Sequence, residues 1–230
     1  MPNALITGAS RGLGLALAQA LHLQGWTLTL TARTARDLEL ARLTLGAGAD
    51  VTALSGDVSD DAHASALIEA AARYGRIDAL VNNASTLGPT PRPTLAHSPT
   101  EALRRVFDVN VLAPLRLVQL ALPHLTPGAR ILNLSSDAAV EAYEGWGGYG
   151  ASKAALDHLS RTLAAEHPDL RVYSVDPGDM NTRMHQEAFP GEDISDRPPP
   201  EASVPGLLHL LLGHAPSGRY VARDLTKVTS

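Results

Sequence analysis

Ala4-Leu5-Ile6-Thr7-Gly8-Ala9-Ser10-Arg11-Gly12-Leu13-Gly14, followed by Leu15-Ala16-Leu17-Ala18-Gln19-Ala20-Leu21, changes character twice over a short span. The apolar run Ala4-Leu5-Ile6 reads as a first strand, and the good helix formers after Gly14 read as a helix. Between them stands Gly-x-x-x-Gly-x-Gly. Strand, glycine loop and helix in that order form a setting in which a backbone receives a pyrophosphate. The helix start offers N–H groups without intrahelical partners and the positive end of its dipole. Glycines let the chain turn tightly and approach phosphates with no Cβ in between. Taken alone, the loop is also compatible with an ordinary strand-to-helix turn.

The alternation continues along the chain. Thr27–Ala32, Val51–Leu54, Ile77–Val81, Arg130–Leu134, Leu170–Val175 and Arg219–Ala222 read as strands two to seven. Ala35–Leu45, Asp60–Tyr74 and Tyr149–Glu166 read as helices. Thr100–Leu125 reads as one long helix, bent or interrupted near Pro114 and Pro123. This order predicts an α/β fold: a Rossmann-like, doubly wound parallel sheet of about seven strands with helices on both faces. Ligands then meet the C-terminal strand ends, where Gly8, Asp57, Asn83, Ser136 and Pro177 fall. With no Pro/Gly/Ser-rich linker in the first 180 residues, residues 1–230 are read as a single dinucleotide-binding and catalytic domain.

Tyr149 and Lys153 lie four apart in Gly148-Tyr149-Gly150-Ala151-Ser152-Lys153, on one face of a predicted helix. A free phenol titrates near 10 and moves protons poorly at neutrality. A neighbouring cation stabilises the phenolate, so the pair reads as a general acid/base. The stretch after strand two, Leu30-Thr31-Ala32-Arg33-Thr34, bears on the cofactor. NAD proteins of this architecture usually place an acid there. None occurs before Asp37. An arginine pairs with a 2′-phosphate that a carboxylate would repel. Arg33, with Arg11 of the glycine loop, therefore favours NADP(H), with NAD(H) as the alternative.

Thr-Gly-x-x-x-Gly-x-Gly with a later Tyr-x-x-x-Lys resembles the short-chain dehydrogenase/reductase family. Further matches keep the family's order: Gly56-Asp57-Val58, Asn82-Asn83-Ala84, Val109-Asn110-Val111, Ser136 thirteen residues before Tyr149, and Pro177-Gly178 with Thr182. The resemblance spans about residues 3–182. It implies that Gly8, Ser10, Arg11, Gly12, Leu13 and Gly14 hold the cofactor phosphates. It implies that Asp57 and Val58 contact the adenine and that Asn83 and Ala84 border its ribose. Pro177, Gly178 and Thr182 meet the nicotinamide end. By the same resemblance Ser136 polarises the substrate carbonyl, Tyr149 transfers the proton, and Lys153 tunes Tyr149 and binds the nicotinamide ribose. Asn110 holds a water in the proton path. Ser85 stands where the family usually has glycine, a departure that alters the local turn.

A net charge of −5 and a pI near 6.0 argue against a general nucleic-acid binder. Met1-Pro2-Asn3 leads straight into a strand, and no membrane span of roughly 20 apolar residues is expected. Cysteine is absent, which excludes disulfides and thiol catalysis and fits a cytoplasmic protein. The nine histidines form no His-x-x-x-His pair, and no metal site is expected.

Asp179–Ala202 is polar and proline-rich, and the resemblance implies a substrate lid over 179–202. Met180, Met184, Phe189, Tyr143 and Trp146 either line a pocket or anchor this loop. Arg183, His185 and Arg197 either meet an anionic substrate or pair with neighbouring acids. The expected activity is interconversion of a small-molecule carbonyl and alcohol with NADP(H). A non-catalytic NADP-binding sensor on the same fold is the alternative. Self-association as a homodimer or homotetramer is implied through 100–125 and 149–166.

Overall fold

The computed structural model describes residues 1–46 and 50–225. Seven parallel strands form one sheet in the order β3-β2-β1-β4-β5-β6-β7. They are β1 (Asn3–Thr7), β2 (Thr27–Ala32), β3 (Val51–Ser55), β4 (Ile77–Asn82), β5 (Leu125–Leu134), β6 (Arg171–Asp176) and β7 (Gly218–Val221). The helices are α1 (Gly12–Leu23), α2 (Ala35–Thr44), α3 (Asp61–Ala72), α4 (Thr100–Phe107), α5 (Ala113–Ala121), α6 (Gly147–Glu166), α7 (Arg183–Ala188), α8 (Val204–Leu212) and α9 (Ala222–Leu225).

The sheet is buried on both faces, so its central strands are nearly continuous apolar runs. Ala4 and Ile6 pack with Leu13 and Leu17 of α1, Leu38 of α2, and Leu207 and Leu211 of α8. Leu5 points the other way, toward Leu67 and Ile68 of α3 and Leu117 and Val118 of α5. Each such aliphatic side chain contributes about 1.5–3 kcal/mol when fully buried. Buried polar groups register the layers. Asn82 Nδ2 donates to Asn133 Oδ1 at 2.8 Å, and Asn133 Nδ2 donates to Ser160 Oγ of α6 at 2.8 Å. That chain ties β4 and β5 to the helix carrying Tyr149.

The helix read over Thr100–Leu125 is interrupted near both prolines, as expected: a π turn over Asp108–Leu112 separates α4 from α5, and a 3₁₀ turn over Leu122–His124 ends it. Pro114 has no N–H for the carbonyl of Asn110 four residues back, which explains an irregular turn there. Other elements differ from the sequence reading. β5 starts at Leu125 rather than Arg130, because its pairing with β4 jumps from Ile77–Leu125 to Ala79–Arg130 around Gly128 (φ +77°). The apolar stretch after Ser203 is helix α8, which the sequence reading left unassigned. By length and composition Thr100–His124 is also long and apolar enough to cross a membrane, contrary to expectation. Half of its most apolar window is buried inside the protein, as in a core helix.

Candidate active site

The glycine loop occupies the C-terminal end of β1. Gly8 (φ +66°) and Gly12 (φ +55°) adopt left-handed conformations that favour glycine. A Cβ on Gly8 would lie 2.7 Å from Asn83 Nδ2, and one on Gly14 would lie 2.5 Å from the same atom. Asn83 is close because its Nδ2 donates to the carbonyls of Thr7 at 2.9 Å and Gly8 at 3.0 Å. Thr7 Oγ1 accepts the N–H groups of Asn83 and Ala84, both at 3.0 Å. The two strand ends are thereby fastened into a cradle at the start of α1, whose first-turn N–H groups lack intrahelical acceptors.

The cradle opens into a cleft of about 900 Å³ along the sheet edge. Every residue assigned to the cofactor from sequence lines it: Gly8, Ser10, Arg11, Gly12, Leu13, Arg33, Asp57, Val58, Asn83, Ala84, Tyr149, Lys153, Pro177, Gly178 and Thr182, except Gly14, which packs behind Gly8. Arg11 and Arg33 are exposed, and neither guanidinium has a side-chain partner among the described residues. Asp57 is more engaged. Its Oδ1 accepts from Ser59 N at 2.9 Å and Ser59 Oγ at 2.7 Å, and Arg105 pairs with Oδ2. Burial alone would raise its pKa; these bonds and the Arg105 charge outweigh it and hold the carboxyl below its ordinary value. The glycine cradle and the two unpaired arginines fit a phosphorylated dinucleotide.

At the other end, Ser136, Tyr149 and Lys153 converge, joined by Asp137, Tyr143, Trp146 and Phe189. Tyr149 is buried beside the hydroxyls of Ser136 and Ser85. Burial pushes its phenol well above the ordinary value; the two serines oppose this, while Asp176 and Asp137 reinforce it. Lys153 Nζ lies 5.5 Å from the Tyr149 ring centre and donates to the carbonyl of Leu134 at 2.6 Å. Burial lowers its ammonium to about 8, against the attraction of Asp157. In this arrangement burial, not the lysine, dominates the phenol, the reverse of the shift read from the Tyr-Lys spacing.

Asn110 is 1% exposed, and its side chain is saturated. Oδ1 accepts from Ser85 Oγ at 3.1 Å and Thr86 N at 2.9 Å; Nδ2 donates to the Thr86 carbonyl at 2.9 Å and Ser152 Oγ at 3.0 Å. It clamps the loop after β4 to α6, and Ser85 enters the site through it rather than only altering a turn. Arg219 of β7 reaches the same region. Its Nε bonds Asp157 Oδ2 at 2.9 Å and its Nη2 donates to the Ser136 carbonyl at 3.0 Å. Neither Arg219 nor Asp137 stood out in the sequence, since neither belongs to a spaced motif.

The segment over 179–202 covers this end and includes α7, capped by Thr182 Oγ1, which accepts from His185 N at 3.3 Å. Trp146 meets Tyr149 edge to face at 5.6 Å and Phe189 at 5.9 Å. The Arg92 guanidinium lies 3.9 Å over the Trp146 ring, so aromatic and cation–π contacts hold the mouth together. Arg183 pairs with Glu187 at 2.7 Å and Arg197 with Asp196 at 2.5 Å. Those two arginines are therefore committed to neighbouring acids.

The family model described as short chain dehydrogenase matches residues 2–193. A short-chain dehydrogenase/reductase, FrzI, of a Cladobotryum species is 36% identical over 189 residues, covering 78% of this chain and 70% of the relative. A benzil reductase ((S)-benzoin forming) of Saccharomyces cerevisiae is 34% identical over 193 residues, covering 80% and 73%. Among solved structures, an Escherichia coli short chain dehydrogenase complexed with NADPH superposes with a TM-score of 0.89 at 28% identity, covering 96% of each chain.

Proposed function

The chain belongs to the short chain dehydrogenase family, and on that footing we propose that it is an NADP(H)-dependent oxidoreductase interconverting a carbonyl and an alcohol. The observation that carries this reading is the meeting of Ser136, Tyr149 and Lys153 in the cleft that the glycine loop opens into. When bound, the nicotinamide supplies or accepts the hydride at the carbonyl carbon. The chain supplies the rest. Ser136 Oγ stabilises charge developing on the carbonyl oxygen. Tyr149 Oη delivers a proton to that oxygen in reduction and removes it in oxidation. Lys153 binds the nicotinamide ribose and, as a cation near the phenol, opposes the effect of burial.

Asn110 holds Ser85, Thr86 and Ser152 about the phenol. A water on the proton path is assigned to its backbone carbonyl, since the side chain is saturated. Arg33 and Arg11 bind the 2′-phosphate, a role supported by their freedom from side-chain partners. Asp57 and Val58 take the adenine, Asn83 and Ala84 its ribose, and Thr182 the carboxamide. Residues 179–202 act as the substrate lid of one domain. The exposed Ala151 and Ala154 on α6 favour a self-associated enzyme.

The test is NADPH oxidation against aldehydes, ketones, diketones and quinones, with Tyr149→Phe alongside. The variant keeps the ring and loses the proton, so turnover is expected to fall by about 10²- to 10⁴-fold. Near-normal turnover in the variant would refute the mechanism.

A further inference from the structure

Asp137 follows Ser136 directly and faces the same cleft, yet the reaction above gives it no part. Its Oδ1 accepts the Ser136 hydroxyl at 2.8 Å and the Ala138 N–H at 2.7 Å. Its Oδ2 accepts the Tyr143 hydroxyl at 3.0 Å. A serine hydroxyl carries one proton. Asp137 and the Tyr149 phenol both compete for that proton, and the carboxylate at 2.8 Å is the stronger acceptor, whereas polarising a carbonyl requires directing it at the substrate. A plain ketone therefore competes poorly for the proton.

Oδ1 already accepts two hydrogen bonds. A substrate that brings its own donor to Oδ1 takes the place of the Ser136 hydroxyl and releases it toward the carbonyl oxygen. The required geometry is narrow. The carbonyl oxygen must lie within reach of Ser136 Oγ, and the donor within reach of an acceptor 2.8 Å from that atom. A donor on the carbon next to the carbonyl sits at a comparable separation from the carbonyl oxygen, so one small molecule spans both.

We infer that Asp137 is a specificity residue that selects carbonyl substrates bearing a hydroxyl or ammonium group on the adjacent carbon. In the reverse direction these are vicinal diols and amino alcohols. The inference rests on the carbonyl–alcohol reading of this site. The surroundings agree with it. Asp176 and Asp179 line the same end of the cleft, while Arg183 is held by Glu187 and Arg197 by Asp196. A carboxylate beside the carbonyl would be brought against the Asp137 carboxylate itself, and that like-charge contact disfavours an anionic substituent there. Tyr143, through Oδ2, fixes the carboxylate so that Oδ1 faces Ser136.

The experiment is kcat/KM with NADPH for a plain ketone and its α-hydroxy, α-ammonio and α-carboxy analogues on one carbon skeleton. It uses the wild type, Asp137→Asn and Asp137→Ala. The wild type is expected to prefer the α-hydroxy and α-ammonio compounds over the plain ketone by roughly 10- to 100-fold, the range for a hydrogen bond to a charged group. The α-carboxy compound is expected to be the poorest. In both variants the preference is expected to collapse toward unity, with plain-ketone turnover rising as Ser136 is released. An advantage of ammonium over hydroxyl would assign part of the selection to charge; parity would assign it to hydrogen bonding alone, and both support the inference. Wild-type turnover without the preference, or a preference surviving in both variants, overturns the inference and leaves the reductase reading standing. No turnover on any member would overturn both. Asp137 is exposed on a surface turn, so circular dichroism is expected to find both variants folded.

Discussion

Lys153 is 3% exposed and holds an ammonium whose pKa burial depresses from 10.5 to about 8. Between those values the unfolded chain binds the proton that the folded protein has released. Stability should therefore rise with pH across that window, and the penalty of burying the charge should be fully present below about pH 8. Tyr149 acts in the opposite sense above its ordinary value of 10.0, because the folded phenol keeps a proton that the unfolded one loses. The rising limb is thus confined to about pH 8 to 10. Lys153→Met, followed by urea unfolding at several pH values, is expected to flatten that limb and to raise stability at neutral pH by up to about 3 kcal/mol. At this scale the Ser-Tyr-Lys set was legible because its spacing survives in one dimension. Asp137, Ser85 and Arg219 were not, because their meaning depends on what β5, β4 and β7 bring alongside them.

Helix α6 shows how an element is held at a working angle. Asn110 bonds it to the loop after β4, Asn133 bonds it to the sheet, and Asp157 bonds it to Arg219 on the last strand. Asp157 is mostly buried, and without its charge the acid nearest Arg219 among the described residues is the more distant Asp176, at 3.9 Å, leaving the Ser136 carbonyl as a neutral partner. Asp157→Asn is expected to cost up to about 3 kcal/mol in denaturant unfolding, since breaking a buried pair strands the partner charge. Strands β1, β2 and β6 could be placed closely from sequence because each is a short stretch dominated by aliphatic and β-branched residues, nearly all of it buried. In the 100–125 segment the two prolines marked where the helix breaks, but not that the first break takes the form of a π turn. β5 was misplaced at its start because Pro127-Gly128 reads as a turn, whereas the strand absorbs it as a bulge.

Across the whole molecule the net charge is −5, yet the cofactor end presents two arginines without side-chain partners among the described residues. That local reversal of sign predicts tighter binding of NADPH than NADH, with the difference shrinking as salt is raised. Titration of both cofactors at low and high ionic strength checks it, and NADH binding equally well would remove Arg33 from the 2′-phosphate role. The outer surface of α6, with Ala151 and Ala154 exposed, leads us to expect a dimer or tetramer mass by light scattering. The doubly wound parallel sheet, with a ligand cleft at its C-terminal strand ends, was readable from element alternation; the observed order turns back beside β1 and opens a crevice there. The substrate was not, because it is set by residues converging from 85 to 189 with no shared period.

The two tryptophans divide the molecule into two optical environments. Trp26 is enclosed among the side chains of the β1–β2 layer, while Trp146 stands at the mouth between Arg92, Tyr149 and Phe189. Replacing Trp26 with phenylalanine would leave a single indole whose emission reports the lid. Opening of the proposed lid would part it from Phe189, whose ring lies against it, and a reduced nicotinamide placed beside Tyr149 would accept its excitation energy. Cofactor arrival and lid movement would then be separable in time in one stopped-flow trace, without any added dye.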